Sequence, residues 1–473
     1  MAGSGYFTEE TPSMNVLTRR AMALTGAISL TLILAACGGS GDDAGGSNSL
    51  TITANAIAGG KNAAQADWIE KWVIPQFTKA QKAKGVDVKV TFRPSGVDDE
   101  QYKTKLALDL QSGSGPDVYD IDGIWVGEFA QAGYIKPLNN VVKGASSWDG
   151  WKQIPDSVQQ LATFEDKLYG IPGGSDGRVI YYNKELFKQA GLPEKWQPTS
   201  WDQIIEAGEK LKSVKDVTPI QLNAGTAMGE ATTMQGFLPL LAGTGESAWA
   251  DGKWTGATQG VKDALKLYSE IYGDKLGDPL LQKEAKGRDK SFAEFAAGKV
   301  GMLLEGDYFW RSVINPKGGV APMEKRDEVV GYAKIPAMTA GSGVNGQDFV
   351  SYSGGGVQTI NPKSKNTDLA FELMKFMNSA DAIKKQLAGE ARITARTDVN
   401  DEVLAGDPML SFVSKDVLPV TSFRPPLAEY AQVSTLLQEA TAAVVDGKSP
   451  EQAAADYAKK LEGAVGGAGN IKS

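Results

Sequence analysis

The chain contains no histidine and a single cysteine, Cys37. The first absence excludes histidine-based catalytic triads, histidine metal sites and histidine acid–base chemistry together. The second excludes any disulfide within the chain. No Gly-x-x-x-x-Gly-Lys-Ser/Thr loop is present, so the energy for any transport step must come from a separate ATPase. Positive charge is also short: 49 Lys and Arg stand against 57 Asp and Glu, a net charge of −8, which makes a poor nucleic-acid binder. After Cys37 no segment is long and apolar enough to span a bilayer. Among common hydrolytic chemistries only that of paired carboxylates survives, and no cofactor or metal is called for.

What is present begins with a processing signal. Arg19 and Arg20 flank an apolar stretch from Ala21 to Ala36, too short for a span and ended by small residues. Residues 1–36 are therefore expected to be a removable signal peptide, with Met14 as an alternative start. Thr18-Arg19-Arg20 shares its twin arginines with one export signal, but Ala21-Met22 departs from it, leaving the export route open. Ala35-Ala36-Cys37 resembles the lipobox of bacterial lipoproteins, which predicts that Cys37 is lipidated (palmitate) and that the protein sits on the outer face of the cell membrane. The competing explanation, a buried helix with an inert cysteine, conflicts with the Gly/Ser/Asp-rich run after it. Residues 37–49 read as anchor and flexible linker.

Beyond the linker the pattern is strand, helix, strand, helix, strand: Leu50–Ala54, a helix through Trp68, Trp72 and Phe77, Val86–Phe92, a helix over Tyr102–Leu110, and Pro116–Ile121. That order predicts an α/β domain with a largely parallel sheet. A second α/β pattern starts at Arg178–Tyr182 and includes helices near 201–213 and 260–272 and a strand at Val300–Leu304. The stretch 223–258 reads as loops near a ligand or interface. A returning strand at Val357–Ile360, a helix over Thr367–Asn378, and two amphipathic helices near 427–443 and 449–463 precede a Gly-rich end.

Several blocks carry a resemblance. They are Pro116-Asp117-Val118-Tyr119, Phe129 to Leu138, Leu168-Tyr169-Gly170-Ile171-Pro172, Tyr181 to Phe187, Pro198-Thr199-Ser200-Trp201-Asp202, Phe295 to Met302 with Gly306, and Gly354-Gly355-Gly356 through Lys365 with Phe376-Met377. In this order and spacing, over most of residues 50–460, the chain resembles family 1 extracellular solute-binding proteins. These are the carbohydrate-binding lipoproteins of ABC importers, which include the maltose-binding protein. The resemblance implies a class II periplasmic-binding-protein fold, with two α/β lobes and a ligand cleft between them. It places residues 50–175 plus 354–394 in lobe 1, 176–353 plus 395–466 in lobe 2, and 467–473 in a tail. Crossings are expected near 173–178, 350–356 and 392–399. It further implies a monomer that binds an oligosaccharide and delivers it to an ABC-type permease served by a cytoplasmic ATPase, without being an enzyme. Three alternatives remain open at this stage: a glycosidase using paired carboxylates, a sugar-binding surface sensor or adhesin, and a binding protein for a non-sugar polar solute.

Neutral sugars favour carboxylates, amides and arginines beside aromatic platforms. Asp120 and Asp122 leave a strand end near Trp125, although one aspartate is expected to cap the next helix. Asp176 falls where the maltose-binding protein carries an acidic sugar ligand, and Arg178 either shares that role or pairs with Asp176. In Gly306-Asp307-Tyr308-Phe309-Trp310, Tyr308 takes the position of a stacking tryptophan in that protein. Asp307, Tyr308 and Trp310 cannot all face the cleft. Arg424 is a fork donor or a member of an ion pair. Trp249 and Trp254 are weaker aromatic candidates, with packing as the alternative, and Asn55 and Lys61 are weaker still.

Overall fold

A computed structural model describes residues 48–59, 62–97, 99–387 and 391–473. The expected signal peptide, Cys37, most of the expected linker and Lys61 lie outside the described residues.

Alternation of apolar residues builds the first sheet. Leu50, Ile52 and Ala54 of the strand Ser49–Ala54 are buried, and this strand pairs in parallel with Lys89–Pro94 and Val118–Asp122. The strand expected to begin at Val86 starts at Lys89 instead, because the preceding helix, Ile74–Ala83, has a C-terminal cap that runs through Val86. Gly85 takes φ +80° there and Val86 N–H donates to the Gln81 carbonyl at 3.0 Å, the signature of a glycine cap. Gly356–Ile360 returns antiparallel to Val118–Asp122 and places Gln358 opposite Asp120 and Gly356 opposite Asp122. Ile171–Pro172 closes the far edge.

The second sheet orders Val330–Ala333, Arg178–Asn183, Val300–Gly306 and Thr218–Gln221. Its two central strands are buried along their whole length, as expected for a sheet covered on both faces. Residues 223–258, expected to be loops, instead include a buried helical run whose Phe237, Leu238, Leu240 and Leu241 are at most 1% exposed. The continuous apolar stretch puts that run in the core. The last residues do not form a free tail, since Ile471–Lys472 pairs in parallel with Trp254–Thr255.

Between the sheets the chain passes at 173–177 and again at 353–356. The two passes lie side by side, with Gly173 N–H donating to the Gly356 carbonyl at 2.9 Å. A Cβ on Gly355, at φ +155°, would come within 2.3 Å of the Gly174 carbonyl oxygen, so only glycine fits. Gly174 also bridges Thr394, in a third segment. A small third sheet joins Phe349–Ser353 to Thr421–Phe423 in parallel, which delivers Arg424 to the same place. Phe423 and Leu427 pack on the first-lobe aromatic cluster, whereas Tyr430 enters the second-lobe core.

Candidate functional site

The crossings and the carboxyl end of Val118–Asp122 wall a cavity of about 380 Å³. Asp120, Asp122, Trp125, Asp176 and Asp307 line it. In a strand, residues two apart share a face, which explains why Asp120 and Asp122 both reach the cavity while the Tyr119 side chain is fully buried away from it.

Asp120 is held by amides. Gln65 Nε2 donates to its Oδ2 at 2.8 Å and Gln358 Nε2 to its Oδ1 at 3.2 Å. Asn378 in turn donates to Gln358 Oε1 at 2.9 Å, which orients that amide. Burial pushes the Asp120 carboxyl up to about 6 against the pull of both amides. Asp122 is the expected cap: its Oδ1 accepts Ile124 N–H at 3.0 Å at the start of the turn Gly123–Trp125. Burial raises its carboxyl too, with the Arg424 charge opposing.

Asp176 and Arg178 are a pair, linked Arg178 Nη1 to Asp176 Oδ1, and Asp176 Oδ1 also accepts Gly354 N–H at 2.7 Å. Arg178 is 6% exposed and donates to the Tyr352 carbonyl at 3.1 Å; it does not line the cavity. Asp307 accepts Gly177 N–H at 3.2 Å and Arg311 Nε at 3.2 Å. Its carboxyl is pushed up by burial first and by the neighbouring Asp176 charge second. Arg424 bridges the lobes: Nη2 lies 3.6 Å from Asp122 Oδ1 and Nη1 donates to Glu230 Oε1 at 3.3 Å.

The aromatic expectations need correction. Tyr308 turns away from the cavity onto Phe292 and beneath the Arg288 guanidinium, 5.1 Å from its ring. Trp310 faces the opposite way as well: its indole N–H donates to Asp407 Oδ2 at 3.1 Å and Arg326 stacks 3.7 Å above it. A π-turn over Phe309–Val313 sets these directions, and alternation along the sequence does not reveal it. Trp254 is buried in the second-lobe core and Trp249 packs against the same cluster. The aromatic surface of the cavity belongs to the first lobe: Trp125 between Tyr102 and Phe129, and Trp68, whose indole N–H donates to the Ala382 carbonyl at 3.0 Å. Gln65, Trp68, Tyr102, Gln358 and Asn378 were not singled out from sequence. Asn55, a weak candidate, does line the cavity.

Comparison with known proteins agrees with this two-lobed geometry. The family described as bacterial extracellular solute-binding protein matches residues 60–384. The "Probable amino-acid ABC transporter periplasmic-binding protein" of Sinorhizobium fredii is 28% identical over 386 residues, covering 79% of this chain and 82% of that protein. The diacetylchitobiose binding protein of Streptomyces coelicolor is 26% identical over 467 residues, covering 94% and 98%. In fold, the sugar-binding protein MalE of Xanthomonas citri superposes with a TM-score of 0.72 at 17% identity, covering 88% of this chain and 97% of that one. With the family matched over more than half its length, this chain belongs to the bacterial extracellular solute-binding proteins.

Proposed function

We propose that the protein is the lipid-anchored binding subunit of an ABC importer, a monomer without enzymatic activity. It captures an extracellular oligosaccharide between its lobes and presents it to a membrane permease driven by a separate ATPase. One observation carries the reading: carboxylates and amides converge at the strand end and crossings, beside Trp125 and Trp68 on one wall. Such a wall suits a solute with many hydroxyls and flat apolar faces. Asp120, Asp122, Asp176, Asp307 and Trp125 are the proposed ligand contacts, with Arg178 and Arg424 holding the carboxylates in place. The glycine passes, where the chain crosses between the lobes, suit lobe closure, and lipidation at Cys37 would keep the receptor beside its permease.

Thermal-shift screening of the full chain in detergent against an oligosaccharide panel, followed by calorimetry on hits, tests this. A saturable, stoichiometric shift by a sugar is expected. Release of cleaved products would overturn the reading in favour of a glycosidase, and stabilisation by non-sugar solutes alone would overturn the sugar assignment. Loss of radiolabelled palmitate incorporation in Cys37→Ser tests the anchor.

A further inference from the structure

Two carboxylates, one in each lobe, meet at a single guanidinium. Asp122 ends a first-lobe strand, and its Oδ1 is fixed by Ile124 N–H at 3.0 Å. Glu230 opens the short helix Glu230–Thr232 in the second lobe. Its two oxygens accept the hydroxyls of Tyr430 and Ser434, each at 2.6 Å. Those hydroxyls stand four residues apart on the helix Tyr430–Val445, hence on one face. Tyr430, Val433 and Leu437 seat that helix in the second-lobe core. Each carboxylate is therefore tied to its own lobe and moves with it.

Arg424 spans the two. Its Nη2 lies 3.6 Å from Asp122 Oδ1, its Nη1 donates to Glu230 Oε1 at 3.3 Å, and its Nε makes no hydrogen bond. Arg288 behaves differently: it grips Glu305, inside the second lobe, through two bonds of 2.9 and 3.0 Å. A two-bond grip locks one pair, whereas Arg424 gives one nitrogen to each side and so joins two bodies. It does this at the crossing itself, where a Cβ built on Gly354 would stand 3.3 Å from Nη2. The Arg424 side chain is 12% exposed, so salt screens its attractions little. Neither Arg424 nor Glu230 lines the ligand cavity, yet in the arrangement they hold, Asp120 and Asp122 of the first lobe and Asp307 of the second wall it together.

We propose that Glu230 and Arg424 are positioning residues: an ionic strut, Asp122–Arg424–Glu230, holds the lobes where both wall the ligand cavity. Separating Asp122 from Glu230 stretches at least one contact and leaves a buried guanidinium poorly paired. A ligand that needs both walls binds only the held arrangement, so its apparent affinity falls with the fraction of molecules in it. The inference rests on lobe closure in the reading above and on no particular ligand.

Double electron–electron resonance between spin labels tests it without a ligand. The full chain carries Cys37→Ser, which removes the only native thiol, with Leu108→Cys in the first lobe and Leu280→Cys in the second, both exposed positions. This parent should show one dominant distance. Glu230→Gln keeps polar partners for the Tyr430 and Ser434 hydroxyls but removes the charge. Glu230 is 41% exposed, which holds the expected effect to about a fivefold rise in a second distance. Arg424→Met should raise it at least as much. Glu439→Gln breaks an ion pair with Lys460 inside the second lobe and should leave the distances unchanged. Equal distances in the parent and Glu230→Gln would overturn the strut even if the melting temperature fell, because a merely local contact costs stability without moving the lobes. An equal shift in Glu439→Gln would overturn it too, since loss of any charge would then suffice. No sugar enters this measurement, so its failure would leave the oligosaccharide reading standing; only an oligosaccharide panel without a hit would overturn that reading.

Discussion

The cleft between the lobes and the groove along the edge strand Val330–Ala333 make an instructive pair. The groove is comparable in size to the cleft, and its walls hold Tyr182, Trp196, Trp310 and Tyr332. By aromatic content alone it would be the sugar site. Its rings, however, are committed to one another and to fixed partners. Trp310 packs edge-on to Tyr332, Tyr182 edge-on to Trp196, and Arg326 covers the Trp310 face. In the cleft the polar groups converge from separate segments, on glycine passes that let the backbones approach. Convergence of polar groups, more than ring count, marks a site built for a ligand.

Four substitutions and a pH series can break or sharpen that contrast. The largest effect should come from Trp125→Ala, which removes a 6% exposed indole from between Tyr102 and Phe129. Denaturant titration should show about 3 kcal/mol of lost stability; a loss below about 1 kcal/mol would mean that the ring is not packed into the first-lobe core as described. Next, Asp176→Ala removes both a cleft carboxylate and the partner of buried Arg178. Because Asp176 is about one-third exposed, the expected penalty is discounted to about 2 kcal/mol in sugar affinity by calorimetry. Unchanged affinity would remove the crossing from the site.

The third effect is a pH dependence. The Asp120 carboxyl sits at about 6 in the folded protein, above its ordinary value in an unfolded chain. The folded state therefore takes up this proton first as pH falls, and the contribution to stability is complete below about 4 and lost as pH rises through about 6. Between pH 7 and pH 5 the parent should gain about 1 kcal/mol more stability than Asp120→Asn. Identical gains in equilibrium unfolding would show that Asp120 is not held as described. Smallest of all, Trp196→Ala and Tyr308→Phe should leave sugar affinity within about twofold, since neither side chain lines the cleft.

Much of the fold was legible because its signals are local. The strands around Ile52 and Val118 announce themselves by apolar residues and by the glycines and prolines that bound them, and Asp120 and Asp122 share a face by simple alternation. The missing part of the site is non-local. Gln65 lies 55 positions before Asp120 and Gln358 lies 238 after it, and no spacing rule joins them before the sheet is assembled. Trp310 misled for a different reason: a π-turn rotates the 308–310 run, and only the packed structure shows that turn. Trp254 misled because a parallel strand partner more than 200 positions later, Ile471, pairs with its strand in the second-lobe core.

Amide hydrogen exchange of the full chain, with and without a saturating amount of whichever disaccharide binds most tightly, compares the two cavities in one experiment. Exchange should slow at residues 120–122, 173–176 and 354–358, which wall the cleft, and stay unchanged at 194–197 and 330–332, which wall the groove. Slowing confined to the groove would contradict the assignment of the ligand to the cleft.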